Sequence, residues 1–249
     1  MLLKDKTAVV YGAAGAIGGA VARAFAREGA VVYLAGRTKS RLDTVADDIR
    51  AGGGLAHTTE LDALHEQAID QFVDTVVAAT GRLDISFNAI GIEDVQQSLS
   101  EIALDDFLQP IMIAMCTQFL TTRAATRHMV SRGSGVILAF GGGDESTLPG
   151  LGGFKVALDA IEGHRRQWAC ELGRHGIRFV TLKTGGVPET IPADFPGRDA
   201  IVASLEESAL LPGAATLADV GNVAAFVASD QARTITATQI NISCGAMMD

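Results

Sequence analysis

The stretch Thr7-Ala8-Val9-Val10-Tyr11-Gly12-Ala13-Ala14-Gly15-Ala16-Ile17-Gly18 decides the fold. Thr7–Tyr11 is apolar and β-branched and reads as a buried strand. Ala16–Glu28 then follows a helical period and stops at Gly29. Between them stand Gly12, Gly15 and Gly18. A strand that turns at once into a helix needs glycine for three reasons: to reverse sharply, to let the backbone approach an anion such as a pyrophosphate, and to seat the helix on the strand. The first amides of that helix then face the anion.

Outward from this unit the alternation continues. Ala30–Ala35 reads as a strand and Lys39–Arg50 as an amphipathic helix stopped by Gly52-Gly53-Gly54. Helix Leu64–Ala79 leads to strand Leu83–Asn88, and helix Leu104–Ser131, with Pro110 near its start, leads to strand Gly135–Phe140. Helix Gly152–Arg174, strand Ile177–Lys183, helix Leu217–Ser229 and a short strand Gln239–Ser243 complete the pattern. Repeated strand–helix–strand order demands crossovers, hence a doubly wound parallel sheet with helices on both faces, the α/β class. Neither a repeat nor a linker divides the chain, so residues 1–249 are expected to form one domain. Residues 188–216, with Pro188, Pro192, Pro196 and Pro212, read as a loop at the carboxyl end of a strand, placed to act as a substrate lid.

Composition narrows the function. A formal net charge of −9 argues against nucleic acid as a partner, and the pair Arg165-Arg166 reads as a solvated helix face. The apolar runs are too short to span a bilayer, and the N-terminus lacks the pattern of a signal peptide, so a cytoplasmic location is expected. Cys116, Cys170 and Cys244 are odd in number and have no CxxC spacing; they read as buried free thiols, and no metal site is expected. The five histidines read as surface or structural residues.

Tyr11 to Gly18 resembles the TGxxxGIG motif of the short-chain dehydrogenase/reductase family, with Tyr11 for its Thr and Ala16 for its middle Gly. The resemblance runs the length of the chain. Asp62 matches the aspartate that meets the adenine amino group. Phe87-Asn88-Ala89-Ile90-Gly91 resembles NNAG, Thr184-Gly185-Gly186-Val187 resembles the PG motif before the lid, and Ile235 to Gly245 resembles the closing segment, with Ala237 for its usual Gly. The resemblance implies a Rossmann-type domain holding a nicotinamide dinucleotide on Gly12, Ala14, Gly15, Ala16, Ile17, Gly18, Arg37, Thr38, Asp62, Asn88, Ala89, Gly91, Lys155, Gly185, Val187 and Thr190. The second strand ends in Gly36-Arg37-Thr38-Lys39 with no acid. A carboxylate there would bind the ribose diol and repel a 2′-phosphate. Arg37 can instead bind phosphate through two donors, helped by Lys39 or Arg41, so NADP(H) is expected over NAD(H).

The family's chemistry rests on a tyrosine that donates the proton, a lysine four residues later, a serine that orients substrate and an asparagine that supports a proton-relay water. Phe154-Lys155-Val156-Ala157-Leu158 resembles the lysine segment and points to Lys155 as that lysine, which puts the tyrosine position at Leu151. The serine position falls on Gly142 and the asparagine position on Ala114. The only tyrosines are Tyr11 and Tyr33, in the first two strands. Losing a general acid costs about 10²–10⁴-fold in rate. Asp144, Glu145, Ser146 and Lys155 are candidate stand-ins, although Asp144 and Glu145 read more readily as solvated loop charges. Three readings fit: an NADP(H)-dependent oxidoreductase of small molecules with a non-standard active site, a cofactor-binding homologue that senses or partners without turnover, and a non-redox enzyme on the same fold. The resemblance also implies a homodimer or homotetramer.

Overall fold

The structure is a computed structural model describing residues 1–143 and 147–248. Seven parallel strands form one sheet in the order β3-β2-β1-β4-β5-β6-β7. They are β1 (Thr7–Tyr11), β2 (Val31–Gly36), β3 (Leu55–Glu60), β4 (Ile85–Asn88), β5 (Gly135–Phe140), β6 (Ile177–Lys183) and β7 (Thr238–Asn241). The helices are α1 (Ala16–Arg27), α2 (Lys39–Ala51), α3 (Glu66–Thr80), α4 (Leu104–Arg132), α5 (Gly153–Leu172), α6 (Arg198–Ser208) and α7 (Leu217–Ala228). β1 and β4 are buried along their whole length. Alternate residues of these strands feed two apolar layers. Val10, Leu138 and Val180 pack with α1, α2 and α7; Val9, Ile137 and Phe179 pack with α3, α4 and α5.

The order reverses at β1, which pairs with β2 on one side and β4 on the other. In such sheets ligands bind outside the carboxyl ends of the strands at this switch point. The glycine turn sits there.

The expected strand and helix order holds. Two elements were not foreseen. β3 is an edge strand of sequence Leu-Ala-His-Thr-Thr-Glu, half exposed, so it carries no apolar run to announce it. Within the expected lid, α6 forms over Arg198–Ser208 without a single buried residue, so no core-facing period marks it.

Two expectations about side chains need correction. Arg165 is buried, its guanidinium 2.7 and 2.9 Å from Glu162 Oε2 on the same helix, while Arg166 is exposed. Cys170 is exposed and Cys116 and Cys244 are half-buried; all three are free thiols. Ala237, which replaces a family glycine, keeps a left-handed backbone at φ +56° and bears the strain of its Cβ.

His164 of α5 has a structural role. Trp168 Nε1 donates to its Nε2 at 2.7 Å, and its ring meets Phe179 edge-on. Burial pulls its pKa down to about 4 from 6.5. The unfolded chain therefore takes up a proton near pH 6.5 that the fold refuses until about pH 4. This contribution is fully present above pH 6.5 and is lost as the pH falls to about 4, roughly 3 kcal/mol in all. Denaturant melts between pH 7 and 5 should show falling stability, and His164→Phe should flatten the slope. An unchanged slope in the variant would assign the effect to other groups.

Candidate cofactor and active site

At the end of β1 the backbone is tied on both sides: the Gly12 amide donates to Ala35 O at 3.0 Å, and the Ala89 amide to Tyr11 O at 3.1 Å. Gly12 has φ +73°, and a Cβ there would stand 2.5 Å from Ala89 O. A Cβ on Gly18 would collide with the Gly12 carbonyl. Only glycine permits both the turn and the seating of α1. Gly15 caps α1, its own amide bonded to Gly12 O at 3.0 Å. The next three amides, of Ala16, Ile17 and Gly18, have no carbonyl one helical turn behind them and form the positive end of the α1 dipole.

Beside this turn opens a cavity of about 590 Å³. Its wall includes Gly12, Ala14, Gly15, Arg37, Thr38, Asp62, Ala89 and Gly91, eight residues expected to meet the dinucleotide. Leu61 and Ile90 add apolar surface, and Ile113 and Thr117 add apolar and hydroxyl surface that no motif announced. Asp62 stiffens its own turn by accepting the Leu64 amide at 3.0 Å. The Asn88 side chain lies behind the wall, donating to Thr121 Oγ1 at 3.2 Å and accepting the Ile90 amide at 3.1 Å, so it braces the loop after β4. The cavity size, the glycine cradle and the helix N-terminus fit the pyrophosphate and adenosine half of a dinucleotide.

Other expected residues lie elsewhere. Gly185, Val187 and Thr190 follow β6, outside the wall of this cavity; Val187 is buried, and its carbonyl accepts the Thr190 hydroxyl at 2.7 Å. Lys39 turns away from the cavity to Asp43 Oδ1 at 2.5 Å and Thr58 Oγ1 at 2.9 Å, whereas Arg41 lines it. Arg37 Nη2 lies 2.7 Å from Glu93 Oε1, an acid that the local sequence around Arg37 does not supply. Tyr11 is buried beneath the cavity, and its burial, with Asp70 nearby, pushes its phenol pKa above the ordinary tyrosine range.

Ala114 on α4 is fully buried. Leu151 precedes α5, whose N-cap is Gly152, so it does not share a helical face with Lys155. Lys155 Nζ lies 2.7 Å from Asp159 Oδ1, one turn along α5. Leu158 faces the end of β5: its Cδ2 would be 3.0 Å from a Cβ on Gly141, and its carbonyl accepts the Gly143 amide at 3.2 Å. Gly142 points toward β6, β7 and α5, where a Cβ would stand 2.9 Å from Gln239 Oε1, 3.0 Å from Thr181 Cγ2 and 3.4 Å from Glu162 Oε1. Asp144, Glu145 and Ser146, the expected stand-in acids, lie outside the described residues. Among the described residues no His, Cys, Asp and Glu group has the arrangement to hold a metal ion, and no helix is long and apolar enough to cross a membrane.

Comparison with known proteins agrees with this geometry. The family described as Enoyl-(Acyl carrier protein) reductase matches residues 12–247. An uncharacterized oxidoreductase of Mycobacterium tuberculosis is 29% identical, covering 98% of this chain and 92% of that protein. Tropinone reductase-like 1 of Erythroxylum coca is 31% identical, covering 92% and 86%. The crystal structure of a dehydrogenase/reductase from Sinorhizobium meliloti 1021 superposes with a TM-score of 0.86 at 28% identity, over 99% of this chain and 96% of that one. A metagenomic short-chain oxidoreductase crystallised with NADP shares the fold, with a TM-score of 0.79 at 24% identity over 97% and 98% of the chains. The chain belongs to the short-chain dehydrogenase/reductase family. It is an oxidoreductase of the short-chain type, in a family that uses NAD(P)H.

Proposed function

We propose that this protein is an NADP(H)-dependent oxidoreductase that reduces activated double bonds or strongly electrophilic carbonyls of small molecules, without the tyrosine-centred proton transfer of its family. One observation carries this reading: the chain has no tyrosine after Tyr33. The tyrosine and lysine positions are better assigned to Phe154 and Leu158 than to Leu151 and Lys155. Phe154 and Leu158 lie four apart on α5, as a cooperating pair must, and Leu158 abuts the end of β5. The four family positions are then Ala114, Gly142, Phe154 and Leu158, none with an ionisable side chain.

In this reading the amides of Ala16 to Gly18 hold the pyrophosphate, Asp62 the adenine, Arg37 and Thr38 the 2′-phosphate, and Ala89 and Gly91 line the floor. Gly185, Val187 and Thr190 flank the nicotinamide end, and residues 188–216 cover the substrate. The dihydronicotinamide, when bound, supplies hydride. Hydride addition to a simple ketone leaves a strongly basic alkoxide, which none of these four side chains can protonate. Addition to a conjugated alkene leaves a delocalised enolate that water can protonate. The match to an enoyl reductase family agrees with that preference.

Titration with NADPH and NADH, followed by a turnover screen of conjugated enones against simple ketones, tests the proposal. Arg37→Asp should reverse the cofactor preference by removing the phosphate donor and offering a carboxylate to the ribose diol. Equal affinities of the native protein for both cofactors would remove the NADP(H) assignment. The four bare positions also favour a second reading, a cofactor-binding subunit without turnover; tight NADPH binding with no reduction of any acceptor would select it.

The protein is also proposed to form a homodimer or homotetramer through α4 and α5. Leu104, Leu108, Met112 and Phe119 make an exposed apolar stripe along α4, and Val156 is exposed on α5. Light scattering at micromolar concentration should give a mass above the 25.9 kDa chain, and a monomer would refute the assembly.

A further inference from the structure

We propose that Glu93 sets cofactor selectivity by competing with the 2′-phosphate for Arg37. This rests on the reading of the cavity as a dinucleotide site. β2 ends without an acid, so its sequence offers Arg37 as a free phosphate donor. The fold cancels that freedom. Glu93, on the loop after β4, places Oε1 2.7 Å from Arg37 Nη2, and both residues line the same cavity beside Gly36, Thr38 and Arg41. The side chains are 69% and 46% exposed, so the pair lies at the rim, where it can open without unpacking the core. Exposed pairs of this kind are weak, and a doubly charged phosphate that offers Arg37 several oxygens can displace the carboxylate. Glu93 holds a left-handed backbone at φ +53°, unusual for a non-glycine residue, which fixes its loop in a particular turn.

Two consequences follow from charge alone. For a 2′-phosphate to reach Arg37 the Glu93 carboxylate must leave, and once displaced it remains a nearby negative charge. For a 2′-hydroxyl nothing need be displaced, because the carboxylate already at the rim can accept a hydrogen bond from the ribose. Glu93 therefore lowers affinity for phosphorylated cofactor and spares the unphosphorylated one. The discrimination of this enzyme between NADPH and NADH is smaller than Arg37 alone would give.

Calorimetric titration with adenosine 2′,5′-bisphosphate, AMP, NADPH and NADH tests the idea in the native protein, Glu93→Gln, Arg37→Ala and the double variant. Glu93→Gln should tighten the bisphosphate and NADPH by about 5- to 20-fold and change AMP and NADH by less than about 2-fold. In the Arg37→Ala background the same change should do nothing. Glu93→Asn, which tolerates the left-handed backbone, repeats the charge removal if Gln disturbs the loop. Equal gains for the bisphosphate and AMP would make Glu93 a general lid and overturn the proposal. Unchanged affinities in a native-like Glu93→Gln would overturn it while leaving the cavity assignment intact. Failure of the native protein to bind any of the four ligands would overturn both.

Discussion

Gly12→Val is expected to lower dinucleotide affinity by at least about 100-fold, a loss of roughly 3 kcal/mol in binding. The added Cβ would stand 2.5 Å from the Ala89 carbonyl oxygen and 2.7 Å from its carbon, both backbone atoms that cannot rotate away. The residue would also need a left-handed backbone at φ +73°, which a β-branched side chain strongly disfavours. Relief requires moving the β1–α1 turn or the loop after β4, and both line the cavity. Gly53→Ala is the control. It has a comparable φ of +82° with nothing within 4 Å of a Cβ, so it should cost about 1 kcal/mol of stability and leave binding unchanged. Calorimetric titration with NADPH measures both. Gly12→Val binding within tenfold of the native protein would place the cofactor elsewhere.

The second large effect concerns the proton. Simple-ketone reduction by the native protein should be at least about 10²-fold slower than reduction of a conjugated enone of similar size, because in the proposed assignment none of Ala114, Gly142, Phe154 and Leu158 can protonate the alkoxide. Phe154→Tyr with Leu158→Lys should raise ketone turnover by about 10²-fold, the lower end of what a positioned general acid supplies, since the added lysine charge lowers the phenol pKa. Enone turnover should change little. Gly142→Ser is left out of this design because its Cβ would press on Gln239 and Thr181. Leu151→Tyr serves as the comparison: it lies ahead of α5, and the phenol should bring no gain. Strong ketone reduction by the native protein, or a larger gain from Leu151→Tyr than from the Phe154 and Leu158 pair, would show that the active site has been misassigned.

The geometry of these two tests shows where local pattern stops being informative. Turn and helix start at Gly12 to Gly18 are local events, dictated by steric demands within a dozen residues, and the sequence carries them openly. The lysine position is different. Lys155 and Leu158 lie within one turn of each other, and which of them faces the sheet depends on where α5 begins and how it rolls on β5. Lysine is the residue the family chemistry calls for, so the sequence points to Lys155, whereas the proposed assignment takes Leu158, whose side chain packs against Gly141 at the end of β5.

By itself the sequence determined the doubly wound parallel fold, the glycine cradle and the absence of a tyrosine after Tyr33. Each follows from short-range periodicity, from backbone sterics or from simple inventory. Tertiary structure alone decided that Leu55–Glu60 pairs as an edge strand, since backbone hydrogen bonds to β2 need no apolar signature. It also decided that Arg165 is buried against Glu162, that a side chain on Gly142 would point toward Gln239, and that Arg37 meets a carboxylate 56 residues away. Such pairings form between groups distant in the chain, where only the closed sheet and its loops fix which charge stands opposite which.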